Sequence, residues 1–229
     1  GLGVTWQYQL TGVIDTSVNA DVFVVDMFDT PQSVIDELHA LGRRVICEFN
    51  AGLWEDWRND ASRYPESVLG APRDGWPGER WVDFRQMDIV GPILKDRFKI
   101  AVAKKCDGVE PDNLDSIINN TGLSMTANDQ LVFNRWLAEQ AHGLGLAIML
   151  KNDLVQIPEL VDYFDIALNE ECFEFNECEM LLPFIEAGKP VVSVEYIGNM
   201  DRLCSGAASL GFSLIMKKLN LDAWRNPCP

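Results

Sequence analysis

Short apolar runs recur along the whole chain, at residues 4–10, 22–27, 44–49, 106–110, 146–151, 164–169, 190–196 and 212–217. Bounded by polar and Gly/Pro positions, they predict eight strands. In Val22-Phe23-Val24-Val25 and Leu146-Ala147-Ile148-Met149-Leu150 every position is apolar. A strand without a polar face is covered on both sides, the situation of a parallel sheet flanked by helices. Helix signals lie between the runs. Thr30-Pro31 places a capping residue before a helix-opening proline, for a helix running to Gly42. Thr126 with Asp129 resembles a capping box for a helix ending near Gly143, and residues 177–188 suggest a third helix. Strands alternating with helices predict an α/β fold, a single (β/α)8 TIM-like barrel that takes residues 1–229 as one domain, with an open doubly wound sheet as the alternative.

One connection is out of proportion. Residues 50–105 separate the third and fourth runs, far more than the roughly 2 to 6 residues of an ordinary βα loop. This stretch holds Trp54, Trp57, Trp76 and Trp81, four of the seven tryptophans, among polar and Gly/Pro-rich segments. A loop that follows a barrel strand lies at the C-terminal face, where active sites form. Indole rings there can stack on the C–H faces of sugars, or can simply staple the loop down.

Charge removes several classes of function. With 35 Asp+Glu against 19 Lys+Arg the formal net charge is -16, which repels phosphate backbones and anionic lipid surfaces, so neither nucleic acid nor membrane is an expected partner. The six cysteines, Cys47, Cys106, Cys172, Cys178, Cys204 and Cys228, contain no CxxC pair and share the chain with only two histidines. Disulfides fit better than a metal site, and with the sequon Asn119-Asn120-Thr121, a glycosylation signal at Asn119, they point to an oxidising compartment. Opening at Gly1, the chain reads as the processed form of a secreted, extracellular protein.

No GxGxxG, Walker, HExxH, GxSxG or EF-hand pattern is present. What remains is carboxylates, many at the predicted C-terminal ends of strands: Asp26 and Asp29, Glu48, Glu110 and Asp112, Glu170 and Glu171, and Glu195. Paired carboxylates provide a proton donor and a nucleophile or base, the requirement of glycosidic cleavage. Asp29 can instead serve the start of the helix at Pro31, and Glu171 can be a solvated neighbour of Glu170. The crowded segment Asp107-Gly108-Val109-Glu110-Pro111-Asp112-Asn113 is electrostatically unfavourable without a purpose. Lys151-Asn152 closes a very apolar strand, where the cation can balance these acids or form a structural ion pair.

Five segments in one order across nearly the whole chain then carry a resemblance. Thr5-Trp6-Gln7-Tyr8-Gln9-Leu10, Gly75-Trp76-Pro77-Gly78-Glu79-Arg80-Trp81, Cys106 through Asn113, Leu150-Lys151-Asn152, and Asn169-Glu170-Glu171-Cys172 through Cys178 resemble glycoside hydrolase family 114. The resemblance implies a TIM-like barrel and an endo-acting α-1,4-polygalactosaminidase, cutting galactosamine-containing polysaccharide such as fungal galactosaminogalactan without metal or cofactor. It carries the catalytic pair over to Asp112, in the Pro-Asp-Asn motif, and Glu170, in the Asn-Glu motif. The family commonly has Asn-Glu-Gln-Cys, so Glu171 is a departure that bears on subsite detail.

The resulting expectation is a secreted monomer acting on a cationic polysaccharide, with Asp112 as nucleophile and Glu170 as acid/base in a retaining scheme. Trp6, Gln7, Asp26, Trp76, Glu110, Lys151, Asn169, Glu195 and Tyr196 are candidate substrate contacts. Three other readings stay open: a hydrolase of neutral α-galactosides, a carbohydrate-binding barrel without turnover, and an acidic cation-binding surface. Among the cysteines, Cys172 and Cys178 are close in sequence and Cys47 and Cys106 lie on neighbouring predicted strands, which leaves Cys204 for Cys228. A mouth ringed by Asp26, Glu48, Glu110, Asp112, Glu170 and Glu195 is expected to attract a polycation.

Overall fold

The structure, a computed structural model, describes residues 3–229. It opens with strands β1 (Trp6–Gln9) and β2 (Val22–Asp26), helix α1 (Gln32–Ala40) and strand β3 (Arg44–Asn50). Strands β4 (Leu53–Glu55), β5 (Leu69–Pro72) and β6 (Glu79–Val82) follow, then helix α2 (Met87–Ala103). The second half alternates β7 (Gly108–Asp112), α3 (Ala127–Gly143), β8 (Ala147–Lys151), α4 (Ile157–Leu160), β9 (Ile166–Glu170), α5 (Leu182–Glu186), β10 (Val191–Glu195), α6 (Met200–Leu210), β11 (Ser213–Met216) and β12 (Asn226–Pro227).

Eight strands, β1, β2, β3, β7, β8, β9, β10 and β11, lie side by side in chain order and all parallel, and β12 adds antiparallel to β11. These are the eight apolar runs of the sequence. The expected (β/α)8 barrel is met only in part. The sheet is a curled half-barrel: no backbone ladder joins β1 to β11, and six helices rather than eight cover it among the described residues. The shortfall lies at the two ends of the sheet. The β1–β2 connection contains no helix, and the chain after β11 lies along the seam as a strap. There Leu221 O accepts the amides of Leu10 and Thr11 at 3.0 and 3.3 Å, while Lys217 Nζ donates to the carbonyls of Asp222 and Trp224, both at 2.6 Å.

Side chains alternate across the sheet. The outward set, including Phe23, Val25, Val45, Cys47, Phe49, Val109, Ile148 and Leu150, packs under the helices as the larger core. The inward set, Trp6, Tyr8, Val24, Ile46, Met149, Leu168, Val192, Val194 and Ile215, fills the hollow of the curl. Gly108 faces that hollow, and a Cβ there would meet Ile46 Cδ1 at 2.8 Å. Toward the C-terminal ends of the strands the inward set turns polar, and the site lies there.

The local helix signals are met in part. The capping box of Thr126 and Asp129 is present, because each side chain accepts or receives the other's backbone amide. Helix α1 starts one residue later than expected, with Pro31 in the capping place and no side-chain cap. The helix expected over residues 177–188 is a 3-10 turn, Cys178–Leu181, followed by the short α5, since Pro183 suits only a helix's first turn. The long connection builds its own antiparallel sheet in the order β4-β6-β5.

Disulfides join Cys47 to Cys106, Cys172 to Cys178 and Cys204 to Cys228. The first closes 59 residues and the second 6. Loop-closure entropy in the unfolded chain grows with the span, giving about 4 kcal/mol for the first and about 2 kcal/mol for the second. Replacing Cys47 and Cys106 together by alanine is therefore expected to destabilise about twice as much as replacing Cys172 and Cys178, measured by denaturant unfolding at one pH.

Candidate active site

Strand parity decides which of the candidate residues share a site. At the C-terminal ends, Asp26, Glu48, Glu110, Asp112, Lys151 and Glu170 have the inward parity of Val24, Ile46, Met149 and Leu168. Register sets them in layers: Asp26 pairs with Glu48 and Glu48 with Glu110, while Asn50 pairs with Asp112 one layer further out.

Lys151 is the hub. Its side chain is 2% exposed, and Nζ lies 3.0 Å from the Tyr8 hydroxyl, 3.1 Å from Asp112 Oδ1, 3.4 Å from Glu170 Oε2 and 3.6 Å from Glu110 Oε1. Burial alone would discharge a lysine, but Asp112, Glu110 and Glu170 outweigh it and hold the ammonium charged. Burial would likewise protonate Asp112. The positive charges of Lys151 and Arg73 and the amide of Asn113, 2.8 Å from Oδ1, win instead and keep its carboxyl below the usual range. Glu110 goes the other way. Burial pushes it to about 8, with Asp112 and Glu170 adding to the effect against the pull of Lys151. Glu48 is raised too, by burial first and then by Glu110. Both oxygens of Glu110 lack a hydrogen-bond partner, which a neutral acid tolerates far better than a carboxylate.

The backbone aims the outer pair. Asn113, Asn152 and Glu171, the residues after β7, β8 and β9, all have left-handed φ, of 60°, 52° and 66°. Each turns the chain sharply out of the sheet at the cost of local strain. Asp112 O accepts the amides of Ala51 and Gly52 at 3.1 and 3.2 Å, and a Cβ on Gly52 would sit 1.8 Å from Asn113 O, so only glycine allows this approach. Glu170 receives the Tyr196 hydroxyl on Oε1, and its amide donates to Asn152 Oδ1 at 3.0 Å.

A small polar cleft of about 70 Å³ opens above these groups, lined by Asp112, Asn113, Asp115 and Asn119 from the β7 side, Lys151, Asn152 and Glu170 from β8 and β9, and Arg73 and Trp81 from the inserted sheet. A larger apolar hollow between Phe84, Met87, Phe133 and Trp136 lies away from the carboxylates.

Several expected substrate contacts lie elsewhere. Trp6 faces the apolar hollow, stacked 5.8 Å from Tyr8, with its indole N–H donating to Ser213 O. Gln7, Asn169 and Glu195 have the outward parity. Gln7 ties down the C-terminal strap through Ala223 O, Asn169 accepts the Cys172 amide, and Glu195 accepts the Phe173 amide. A shift of one residue along a strand exchanges its faces, and strand-end position alone does not reveal parity. Asp26 is inward but paired with Arg58 at 2.7 Å. The expected ring of negative charge is therefore largely quenched: Asp26 by Arg58, Glu48 and Glu110 by burial, Glu195 by facing out.

The tryptophans divide as well. Trp54 staples the insert through Ala61 O, Trp81 is buried against the cleft, and Trp57 and Trp76 are 52% and 49% exposed, with Arg73 over the Trp76 ring at 4.8 Å. Trp81 is one of the four loop tryptophans and Asn152 the neighbour of Lys151 that the sequence singles out, whereas Tyr8, Arg73, Asn113 and Asp115 are cleft or hub residues that it does not. Asp115 lies two residues beyond the acid-rich segment 107–113, and Tyr8 shares Trp6's parity. Nothing periodic marked Arg73 or Trp81.

This arrangement, two carboxylates around a buried ammonium at the C-terminal end of a curled parallel sheet, has the design of a glycosidase. The model of glycoside-hydrolase family GH114 matches residues 1–229, and the chain belongs to that family. It is a glycoside hydrolase. The crystal structure of Aspergillus fumigatus Ega3 in complex with galactosamine is similar at 36% identity and a TM-score of 0.94, over 99% of this chain and 96% of that one. The glycoside hydrolase domain of PelA from Pseudomonas aeruginosa shares the fold at 16% identity and a TM-score of 0.74, over 98% and 97%. A maltogenic α-amylase, AmyB from Thermotoga neapolitana, is more distant in fold, at 13% identity and 0.56, over 100% of this chain and 64% of that one. Among curated proteins none matches the chain.

A raised carboxyl binds its proton in the folded state where the unfolded chain has lost it. Glu110 therefore lowers stability progressively as pH rises from about 4.5 to about 8, and the loss is complete above that. Glu110→Gln is expected to flatten this decline, so that the variant gains on the parent between pH 5 and 8, read from denaturant midpoints across that range.

Proposed function

We propose that this chain is a secreted, endo-acting hydrolase of α-1,4-linked galactosamine-containing polysaccharide, working as one monomeric catalytic domain. The observation that carries the reading is the shared contact of Asp112 and Glu170 with one ammonium, Lys151 Nζ, at 3.1 and 3.4 Å. Their nearest oxygens lie within those two contact lengths laid end to end. That upper bound is compatible with the close spacing of a retaining pair, about 5 to 5.5 Å. The galactosamine in the Ega3 complex supports the sugar. Three disulfides, and the lack of any helix among the described residues long and apolar enough to cross a membrane, support secretion.

In this mechanism Asp112, held ionised with Oδ1 occupied by Lys151 and the Asn113 amide, presents Oδ2 to the anomeric carbon. Glu170, oriented by the Tyr196 hydroxyl, protonates the leaving oxygen. Esterification removes the charge of Asp112, so Lys151 then faces Glu170 with one fewer competitor while Glu170 takes a proton from the attacking water. The burial of Glu110 keeps a second negative charge away from the nucleophile. A glycan on Asn119, which is exposed and lines the cleft, would stand at the substrate entrance.

Asp112→Asn and Glu170→Gln are each expected to keep the fold and lose about 10² to 10⁴ in turnover, measured as reducing ends released from galactosamine polymer. Near-normal turnover in either variant would reject the pair, and faster cleavage of a neutral α-galactoside by the parent would reassign the substrate.

With the carboxylate ring quenched, long-range attraction for a polycation rests on the overall charge of -16. Since the Debye length falls from about 30 Å at 0.01 M salt to about 3 Å at 1 M, kcat/KM on deacetylated polymer is expected to drop with salt while that on acetylated polymer barely moves. An equal response of the two substrates would leave the charge without a role in recognition.

A further inference from the structure

One carboxylate in the cleft is left over by this mechanism. Asp115 lies three residues beyond Asp112 on the same loop and lines the same cleft as Asp112, Lys151 and Glu170. Among the described residues it has no cation partner and no side-chain donor, whereas every other charged group around it is engaged. Lys151 is buried among Tyr8, Glu110, Asp112 and Glu170. Arg73 is paired with Glu79 at 3.0 Å and stacked on Trp76. Asp112 accepts from Lys151 and Asn113, and Glu170 from Tyr196.

We infer that Asp115 reads the amino group of the sugar: it is an acceptor placed beside the nucleophile to hold an ammonium on the carbon next to the anomeric one. The inference rests on the proposed galactosamine hydrolysis and assigns its selectivity to one residue. The covalent geometry of the sugar supports it. The amino group of a 2-amino sugar is one carbon from the atom that Asp112 attacks, so the group that grips it must belong to the same corner of the cleft. Besides Asp112 and Glu170, the carboxylate that lines this cleft is Asp115. Its backbone is held in advance: Asp115 O accepts the amide of Ile118 at 3.2 Å and the side chain of Asn119 at 3.0 Å. A charge-assisted bond from an ammonium is roughly twice as strong as one from a neutral hydroxyl, and an acetylated nitrogen would leave the carboxylate desolvated without a cation.

The surroundings of Asp115 fit this role. Burial, then the charge of Asp112, push its carboxyl up to about 6, against the pull of Lys151 and Arg73 on the cleft side. Asp153, after β8, is itself raised to about 8 by burial and by Asp115, and so adds little negative charge near neutral pH. An incoming ammonium relieves both causes of the upward shift. Below about pH 6 Asp115 takes a proton and its preference for an ammonium fades.

The test measures binding of galactosamine and of galactose to the full chain and to Asp115→Asn by calorimetric titration, together with cleavage of galactosamine polymer. The parent is expected to prefer galactosamine. Asp115→Asn is expected to lose on the order of ten- to a hundredfold in galactosamine affinity with little change for galactose. A preference that survives the substitution, or a parent that binds both sugars alike, overturns the inference. Should Asp115→Asn not fold, the parent titrated from pH 5 to 7 decides it: a preference that grows through pH 6 supports Asp115, and a flat one rejects it. A parent that shows the Asp115-dependent preference but does not cut the polymer overturns the hydrolytic reading and leaves this one standing. A parent that cuts without the preference does the reverse.

Discussion

The charge of Lys151 is the constraint on which the site depends. Taking an ammonium out of water costs several kcal/mol even after the protein relaxes, and it is sustained here because three carboxyl groups, that of Asp112 ionised, and a phenol converge on it. The dependence runs both ways. Without the cation, Asp112 would lie in a poorly solvated hollow beside other acids and would have to take up a proton. Lys151 thus sorts the acids: Asp112, with an added amide and Arg73 nearby, stays ionised, and Glu110, one layer deeper, does not. A gradient from neutral to ionised acid over two layers of a sheet suits the nucleophile proposed at the mouth.

The scaffold holds this electrostatic centre from outside. The Cys47–Cys106 bridge joins the outward face of β3 to the segment leading into β7, so the strands that carry Glu48, Glu110 and Asp112 are tied on the face opposite those acids. The Cys172–Cys178 bridge closes the turn after Glu170, and Glu195 holds the same turn through the Phe173 amide. Residues that looked like substrate contacts, Gln7, Asn169 and Glu195, act in this supporting set. The left-handed turns at Asn113, Asn152 and Glu171 store strain where the catalytic strands end, and the close approach of Gly52 to Asn113 keeps one of them in place. Glu171, the departure from the family pattern, occupies one of these turns, where the left-handed backbone constrains the residue.

Much of this protein could be read from its sequence because the deciding interactions are local or periodic. Continuous apolar runs mark strands covered on both faces whatever the rest of the fold does, and all eight became the parallel sheet. The Thr126–Asp129 cap is complete within four residues. Asp112 and Glu170 stood out because acids packed at strand ends are costly unless put to use, and short motifs around them carried the family. The sequence by itself also determined the net charge.

Tertiary structure decided what depends on facing and on distance. Parity separated Glu170 and Lys151 from Asn169 and Glu195, since adjacent residues of a strand point to opposite faces and an apolar run with no polar alternation hides which is which. The strap along the seam, and with it an open curl instead of a closed barrel, arises from contacts between segments about 210 residues apart, such as Lys217 with Gln7. Arg73 and Trp81 reach the cleft from an antiparallel sheet without hydrophobic period in its sequence. Which acids carry charge was settled last, because ionisation follows burial and the nearest cation, and neither exists until the strands have curled together.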